Sequence, residues 1–312
     1  MEPDHSASIP AFLKKYPNAT VVSTAKGFQF MEQFFPEFFA GQGLPAEQRI
    51  VAANDGVLEL GQHSLHFVYA PMVHWPEVMM TYEATEKILF AADGFGKFGA
   101  LDVEEEWTDE ARRYYIGIVG KYGPQVQAVL KKAAGLDIQT ICSLHGPVLK
   151  ENLGFYLEKY DKWSSYQPEE SGVVIAYASV YGNTRNAAEY LADVLQEKGQ
   201  KTVLYDLARC DKAKAVADAF RYDRLVLAGI TYNGDLFPCM RSFIEGLTER
   251  NYQNRKVAII ENGTWAPMAG KLIFGMFEKS KNLTFTETTV SIKSAMNEQN
   301  KKEIGKLAEE LS

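Results

Sequence analysis

The pattern of apolar and polar positions divides the chain into two regions of different predicted architecture. From residue 173 onward, apolar runs rich in β-branched residues alternate with amphipathic segments of helical period. We predict strands at 173–178, 202–206, 223–230, 256–261 and 283–291, and helices at 184–198, 211–219, 238–249, 267–280 and 296–311. Five successive strand–helix units are typical of a doubly wound sheet. The pattern therefore predicts that residues 167–312 form an α/β domain with five parallel strands.

The first 166 residues follow a mixed order of elements. We predict strands at 19–24, 49–53, 56–60, 63–70, 79–84, 87–92 and 139–143, and helices at 9–16, 27–39, 109–134 and 151–166. The Asn-Asp-Gly segment at 54–56 is typical of a hairpin turn, so strands 49–53 and 56–60 are predicted to pair with each other. Hairpins followed by helices indicate an α+β layered domain. The polar stretch 167–171 is the predicted linker, which gives domains at 1–166 and 167–312.

Composition excludes several classes of protein. The 312 residues suffice for two separate cores, and the net charge of −7 without a Lys/Arg block argues against a nucleic-acid partner. No apolar run is long enough to cross a membrane. The first residues, MEPDHSAS, lack the basic and apolar regions of a signal peptide. The cysteines at 142, 210 and 239 are scattered, which fits free thiols in a reducing cytoplasm.

One loop has the composition of a phosphate site. The apolar strand Val173–Tyr177 is followed by Ser179, Gly182 and Thr184, and a helix begins near Thr184. Backbone N–H groups and the positive end of a helix dipole meet in such a turn, and both favour a phosphate. The loop lacks the GxGxxG and GxxxxGK[ST] spacings, so a phosphate monoester is favoured. An ordinary βα turn would explain this loop taken alone. Its S-x-x-G-x-T spacing resembles the FMN-phosphate loop of flavodoxins.

Two further loops extend this candidate site. The segments TYNGDLFP (231–238) and ENGTWAP (261–267) follow the next strands along the predicted sheet edge, and each places an aromatic residue beside an amide. The isoalloxazine ring of a flavin needs flat apolar faces and backbone hydrogen-bonding groups. We therefore expect FMN to be bound by Ser179, Val180, Tyr181, Gly182, Asn183, Thr184, Thr231, Tyr232, Asn233, Gly234, Asn262, Gly263, Thr264 and Trp265.

Candidate metal ligands are confined to the first region. They are Glu2, Asp4 and His5 in EPDH, then His74, Asp93 and His145, the last three at or just after predicted strand ends. Taken singly, each histidine is better explained as a core residue, and EPDH could be a disordered tail. Taken together, the series ExDH, H, D, H resembles the ligand order of the metallo-β-lactamase fold. Hydrolases of that fold carry HxHxDH, and a glutamate in place of the second histidine shifts the preference from zinc toward iron.

The combination of both sites resembles the flavodiiron proteins, which reduce O2 to water or NO to N2O. That resemblance implies an N-terminally incomplete metallo-β-lactamase-like αββα sandwich followed by a flavodoxin-like domain. It also implies a non-haem diiron centre, with no catalytic residue beyond the metal ligands. Glu2, His74 and Asp93 would bind one iron, and Asp4, His5, Asp93 and His145 the second, with Asp93 as the bridge.

The resemblance further implies partners and an extended N-terminus. Rubredoxin or another reduced carrier would deliver electrons to FMN, and a head-to-tail homodimer or a dimer of dimers would bring FMN close to the iron of the other subunit. The family motif HxExDH places its first histidine ahead of Met1, so we expect the 312 residues to be a fragment or a late start. Two alternatives stay open: an FMN electron carrier without a working metal site, and a zinc hydrolase of the metallo-β-lactamase fold.

Overall fold

The computed structural model describes residues 1–39 and 44–312 and divides the chain into two compact units, Met1–Ser164 and Ser165–Ser312. The division falls slightly before the predicted boundary after residue 166. Tyr166 belongs to the second unit because its carbonyl accepts a hydrogen bond from Nη1 of Arg255, over 2.7 Å. Among the described residues, no helix combines the length and the apolar character needed to cross a membrane.

The first unit combines a mixed sheet with helices. Its strands are β1 (Val21–Ser23), β2 (Arg49–Val51), β3 (Val57–Leu60), β4 (His63–Tyr69), β5 (Met79–Glu83), β6 (Ile88–Phe90) and β7 (Thr140–Cys142). Its helices are α1 (Pro3–Ser6), α2 (Ile9–Lys15), α3 (Ala25–Phe34), α4 (Pro36–Phe39), α5 (Trp107–Tyr114), α6 (Gly123–Ala133) and α7 (Leu153–Ser164). The strands form a sheet of order β3-β4-β5-β6-β7 and a separate pair, β1-β2.

The hairpin predicted for the Asn-Asp-Gly segment is wrong. β2 pairs in parallel with β1, and β3 pairs antiparallel with β4. The amide of Asp55 donates to the carbonyl of Phe67 over 2.9 Å, so the turn is attached to β4. The amide of Ala52 donates to the carbonyl of Ser23 over 2.9 Å, which holds the end of β2 on β1. The segment therefore carries the chain from one sheet to the other.

Two predicted long helices are interrupted in the structure. The helix predicted at 109–134 consists of α5, a π-helical segment Tyr115–Val119, a 3₁₀ segment Gly120–Tyr122 and α6. Glycines within this stretch weaken a continuous α-helix, since glycine has a low helix propensity. The helix predicted at 27–39 is divided into α3 and α4, and Pro36 begins the second piece because proline is favoured at the first helical position.

Strand directions in the first unit bring three loops to one edge of the sheet. β4 is antiparallel to β5, β5 is antiparallel to β6, and β6 is parallel to β7. β4, β6 and β7 therefore run in the same direction and end at the same edge. The loops that follow them carry His74, Asp93 and His145. Pairing alone thus explains why residues far apart in sequence meet at one place.

The second unit confirms the predicted parallel sheet. Its strands are β8 (Glu170–Tyr177), β9 (Thr202–Asp206), β10 (Tyr222–Tyr232), β11 (Asp235–Leu236), β12 (Arg255–Asn262) and β13 (Leu283–Ile292). Its helices are α8 (Asn183–Glu197), α9 (Lys212–Arg221), α10 (Pro238–Thr248), α11 (Ala269–Met276) and α12 (Glu298–Glu310). The parallel order is β13-β12-β10-β8-β9, with β11 attached to β10. Numbered along the chain this order is 2-1-3-4-5, the doubly wound arrangement in which ligands bind beyond the strands' carboxyl ends.

Candidate functional site

The first group of candidate metal ligands consists of Glu2, His74 and Asp93. Nε2 of His74 lies 3.3 Å from Oδ2 of Asp93 and 3.9 Å from Oε1 of Glu2. Glu2 and Asp93 are only 7% and 4% exposed. Within the described part of the chain, Oε1 of Glu2 has no hydrogen-bond partner. A buried carboxylate oxygen without a donor is costly, so the arrangement favours a bound cation.

The second group consists of Asp4, His5 and His145, and it faces the other oxygen of Asp93. Nε2 of His5 lies 2.9 Å from Oδ1 of Asp93 and 3.5 Å from Oδ2 of Asp4. Nε2 of His145 lies 3.3 Å from the same Asp4 oxygen and 3.8 Å from Oδ1 of Asp93. Asp93 therefore lies between the groups, with one carboxylate oxygen directed toward each.

The loops that carry Asp93 and His145 are held together by backbone contacts. The amide of Leu144 donates to the carbonyl of Ala92 over 2.8 Å, and the amide of Lys97 donates to the carbonyl of His145 over 3.2 Å. Gly96 lies between these loops, and a Cβ on it would lie 2.9 Å from the His145 carbonyl oxygen and 3.0 Å from that of Asp93. Only glycine fits so close an approach.

Charges within the two groups stabilise one another. The hydrogen bond from the ring of His74 to Asp93 raises the pKa of that histidine above its usual value, although burial opposes the shift. Burial alone would raise the pKa of Asp93, but the hydrogen bond from His74 and the charge of His5 hold it below its usual value. Asp93 is therefore deprotonated, as a metal ligand must be.

Tyr114 is a site residue that the sequence analysis missed. Its hydroxyl donates to the Asp93 carboxylate, and its ring centroid lies 5.6 Å from that of His145. Burial, followed by the charge of Asp93, raises the pKa of Tyr114 above its usual value, so the phenol remains a hydrogen-bond donor. No sequence signal marks this residue, because it lies at the end of α5 and not in a loop after a strand.

The donor set and its spacing fit two metal ions. Within each group the ligand atoms lie within 4.8 Å of one another. Two atoms bound to one ion at about 2.1 Å are themselves about 3–4 Å apart, so little movement would complete either set. Three carboxylates with three imidazoles suit iron better than zinc. Asp93, which has an oxygen toward each group, would be the shared ligand.

The predicted phosphate loop lies between β8 and α8. The amide of Gly182 donates to Oγ of Ser179 over 3.2 Å, and Gly182 has a φ of +91°, which favours glycine. In the part of the chain that the structure describes, α8 has no side-chain cap, whereas Thr24 caps α3 and Asp211 caps α9. The amides of the first turn of α8 are therefore available to an anion.

The loops after β10 and β12 approach each other closely at Gly263. A Cβ on Gly263 would lie 2.8 Å from Cα of Pro267 and 3.2 Å from Oγ1 of Thr231. Oγ1 of Thr231 accepts hydrogen bonds from the amides of Met268, over 2.8 Å, and Ala269, over 3.2 Å. The first of these two loops turns at Asn233 and Gly234, whose φ values of 52° and 71° match a two-residue hairpin.

Ser294, just after β13, completes this sheet edge and was also missed from the sequence. Its amide donates to Oδ1 of Asn262 over 3.0 Å, and its carbonyl accepts from Nδ2 of Asn262 over 2.8 Å. Its hydroxyl lies 2.9 Å from Oγ1 of Thr264. The sequence does contain a signal for this residue, because Ser294 follows the fifth predicted strand of the parallel sheet, and the carboxyl end of that strand lies at the same edge.

These loops enclose a cavity of ≈ 450 Å³, a size typical of small-molecule sites. All of the predicted flavin residues except Gly182 line it. The wall also includes Ile230, Ala266, Met268 and Ser294. Tyr181 and Trp265 are 92% and 90% exposed, so their flat faces are available to a planar ring. Uncapped amides, a close-packed glycine and exposed aromatic rings together fit FMN.

Comparison with protein families identifies the two halves separately. Residues 1–146 match the family described as ODP family beta lactamase, and residues 174–302 match the flavodoxin domain. The metallo-β-lactamase-like and flavodoxin-like folds predicted from the sequence are therefore confirmed. The candidate metal ligands lie within the first match, and the loops of the cavity lie within the second.

Individual proteins match stretches of this chain that are longer than either unit alone. The chain is 33% identical over 218 residues to the diflavin flavoprotein A 1 of Synechocystis sp., covering 67% of this chain and 37% of that protein. It is 26% identical over 281 residues to a nitric oxide reductase of Moorella thermoacetica, covering 87% of this chain and 68% of that protein. The rubredoxin oxygen:oxidoreductase of Desulfovibrio gigas has the same fold, with a TM-score of 0.89 and 21% identity over 99% of this chain and 77% of that chain.

The relatives are longer than this chain. It covers 61% of the length of a related protein from Methanocaldococcus jannaschii and 36% of the length of a second diflavin flavoprotein from Synechocystis sp..

Proposed function

The chain belongs to the flavodiiron protein family, and we propose that it is an oxidoreductase that passes electrons through FMN to a non-haem diiron centre, where O2 or NO is reduced. The observation that carries this proposal is the position of Asp93, whose two carboxylate oxygens face separate groups of ligands. The proposal is also supported by a cavity with the features of a flavin site in the second unit.

We assign one iron to Glu2, His74 and Asp93, and the other to Asp4, His5, Asp93 and His145. The unpartnered buried oxygen of Glu2, within the described residues, supports the first set, and the cluster of ligand atoms supports the second. Glu2 also distinguishes iron from zinc chemistry, because it adds a hard oxygen ligand where a hydrolase of this fold has a histidine.

We assign FMN to the cavity of the second unit, with its phosphate at Ser179–Thr184 and its ring beside the loops at Thr231–Gly234 and Asn262–Trp265. When bound, FMN supplies single-electron transfer and the iron pair supplies the sites at which O2 or NO is reduced. The side chains of this chain bind and orient these groups. Tyr114 holds the carboxylate of Asp93 by a hydrogen bond, and Trp265 and Tyr181 offer flat faces to the ring.

The electron donor is a reduced carrier protein, and we propose rubredoxin as that carrier. One relative of the same fold is named as a rubredoxin oxygen:oxidoreductase, which supports this choice. The head-to-tail homodimer, or dimer of dimers, expected from the family resemblance stays a prediction. Light scattering of the purified protein will measure its mass in solution, and a monomer at all concentrations would contradict it.

Anaerobic stopped flow with O2 and with NO tests the proposed activity. Protein loaded with FMN and ferrous iron is chemically reduced and then mixed with each gas in turn, while flavin absorbance is followed and N2O is measured in the headspace. The matched control is the same protein loaded with FMN and zinc. We expect rapid flavin oxidation by at least one gas in the iron form only, and equal rates in both forms would refute the proposal.

Metal and flavin analysis of the protein as purified, before any metal or flavin is added, separates the alternatives. Iron together with FMN supports the proposed reductase, FMN without any metal supports an electron carrier, and zinc in both sites supports a hydrolase.

A further inference from the structure

Arg185 lies over the loop to which we assign the FMN phosphate. It is the third residue of α8, and its Nη2 atom lies 3.7 Å from the position that a Cβ on Gly182 would occupy. Gly182 is the residue that turns the chain into α8, so the guanidinium is beside the uncapped first turn of that helix. Backbone amides and hydroxyls make the phosphate contacts proposed for this loop, and Arg185 has no part in them.

The ion pair that Arg185 makes is a weak one. Its Nε atom lies 3.7 Å from Oε1 of Glu189, one helical turn later, and both side chains are about half exposed. An exposed pair of this kind contributes little to stability. By contrast, Nη1 of Arg209 lies 2.6 Å from Oδ2 of Asp206 in the same unit. Arg185 therefore loses little stabilisation when it exchanges the carboxylate of Glu189 for another anion.

A phosphate monoester is the stronger partner for this side chain. It carries close to two negative charges at neutral pH, and arginine can bind it through two parallel hydrogen bonds. The chain has a net charge of −7, so a positive group at this position also reduces the repulsion that an anionic ligand meets. The guanidinium is already close to the first turn, because its Nη2 atom lies 3.7 Å from the position of a Cβ on Gly182, and the half-exposed side chain is free of close packing on its solvent side.

We propose that Arg185 is a phosphate-binding residue that turns from Glu189 to the FMN phosphate and makes the site select FMN over riboflavin. This inference rests on the proposed function, because it requires FMN to occupy the cavity. It adds a salt-dependent contribution to affinity, since a half-exposed charge pair is screened by ions. Glu189 acts in the opposite direction, as a competitor for the same guanidinium.

A purely helical role for Arg185 makes different predictions. If Arg185 and Glu189 only stabilise α8, removal of either side chain lowers the melting temperature slightly and leaves the preference for FMN over riboflavin unchanged. If Arg185 binds the phosphate, the two substitutions change FMN affinity in opposite directions.

Flavin titrations of the apoprotein test this inference. FMN and riboflavin are added separately to wild type, Arg185→Ala, Glu189→Gln and the control Arg209→Ala, and flavin fluorescence quenching gives each dissociation constant. We expect Arg185→Ala to weaken FMN binding about tenfold, the loss of a charge-assisted hydrogen bond, and to leave riboflavin binding within about twofold. Glu189→Gln should tighten FMN binding about twofold, and Arg209→Ala should change neither constant.

The outcomes separate this inference from the proposed function. If wild type binds neither flavin, both are overturned. If wild type binds FMN and Arg185→Ala binds it equally well, only the role of Arg185 is overturned. An equal loss of FMN and riboflavin affinity in Arg185→Ala, or weaker FMN binding by Glu189→Gln, would also overturn it, because either result indicates a structural effect.

Discussion

Replacement of Gly96 by alanine should separate the loops that carry Asp93 and His145. A Cβ at this position would lie 2.9 Å from the carbonyl oxygen of His145, 3.0 Å from that of Asp93 and 3.2 Å from Cβ of His145. Two of these atoms belong to the backbone and cannot rotate away. Ordinary van der Waals contact begins at 3.4 Å, so the His145 backbone must move by about 0.5 Å.

That displacement is large compared with the tolerance of a metal site. Ligand distances in such sites are expected within about 0.2 Å of their ideal values. Overpacking of this kind costs about 1–3 kcal/mol. Since the loops can relax when no metal draws them together, we expect most of that energy to appear as weaker binding at the second group, a loss of about 5- to 150-fold in affinity. Glu2 and His74 lie outside the displaced loops, so the first group should be affected less.

Anaerobic titration with ferrous iron against a competing chelator measures this effect. We expect Gly96→Ala to lose one iron at chelator concentrations at which wild type keeps both. The control is Gly154→Ala in α7, where a Cβ would meet no described atom within 4 Å. This substitution should leave iron binding unchanged. If Gly96→Ala holds both irons as tightly as wild type does, the close approach of these loops does not position the second group.

Three further substitutions test other parts of the account. The pKa of Glu83 falls from 4.5 to about 2, because hydrogen bonds from the amides of Glu86 and Thr85 outweigh the effect of burial. Its contribution to stability is complete above pH 4.5 and is lost as the pH falls toward about 2. The urea midpoint of wild type should therefore fall over that range by more than the midpoint of Glu83→Gln, and equal falls would contradict this. Arg255→Met should destabilise the second unit by about 3 kcal/mol or more in urea, because buried carbonyls, including those of Tyr166 and Tyr222, lose their donor; an unchanged midpoint would contradict this. Gly263→Ala should weaken FMN binding at least about tenfold, since its Cβ would overlap Pro267; an unchanged dissociation constant in a fluorescence titration would contradict this.

The parallel sheet could be predicted from the sequence because its central strands are buried on both faces. β8 and β10 each contain a continuous apolar run, and such runs differ clearly from the amphipathic helices between them. The loops that follow these strands then share an edge by topology alone. This is why thirteen flavin residues named from the sequence line one cavity, and why Ser294, after the fifth strand, could have been included.

The first unit was harder to predict because its strands are short and its pairings are not local. Asn-Asp-Gly has the residues of a hairpin turn, but the pairing of β2 depends on β1, which lies more than twenty residues earlier. Tyr114 reaches Asp93 from a helix that no motif identifies. In contrast, His74, Asp93 and His145 could be found, because each follows a strand and the three strands run in one direction.

Mössbauer spectroscopy of protein loaded anaerobically with isotopically enriched iron tests the central claim most directly, namely that Asp93 is shared by two metal ions. We predict a pair of irons per chain that are magnetically coupled after oxidation, and loss of that coupling in Asp93→Ala. A single iron per chain, a pair of uncoupled irons, or coupling that survives in Asp93→Ala would contradict the account.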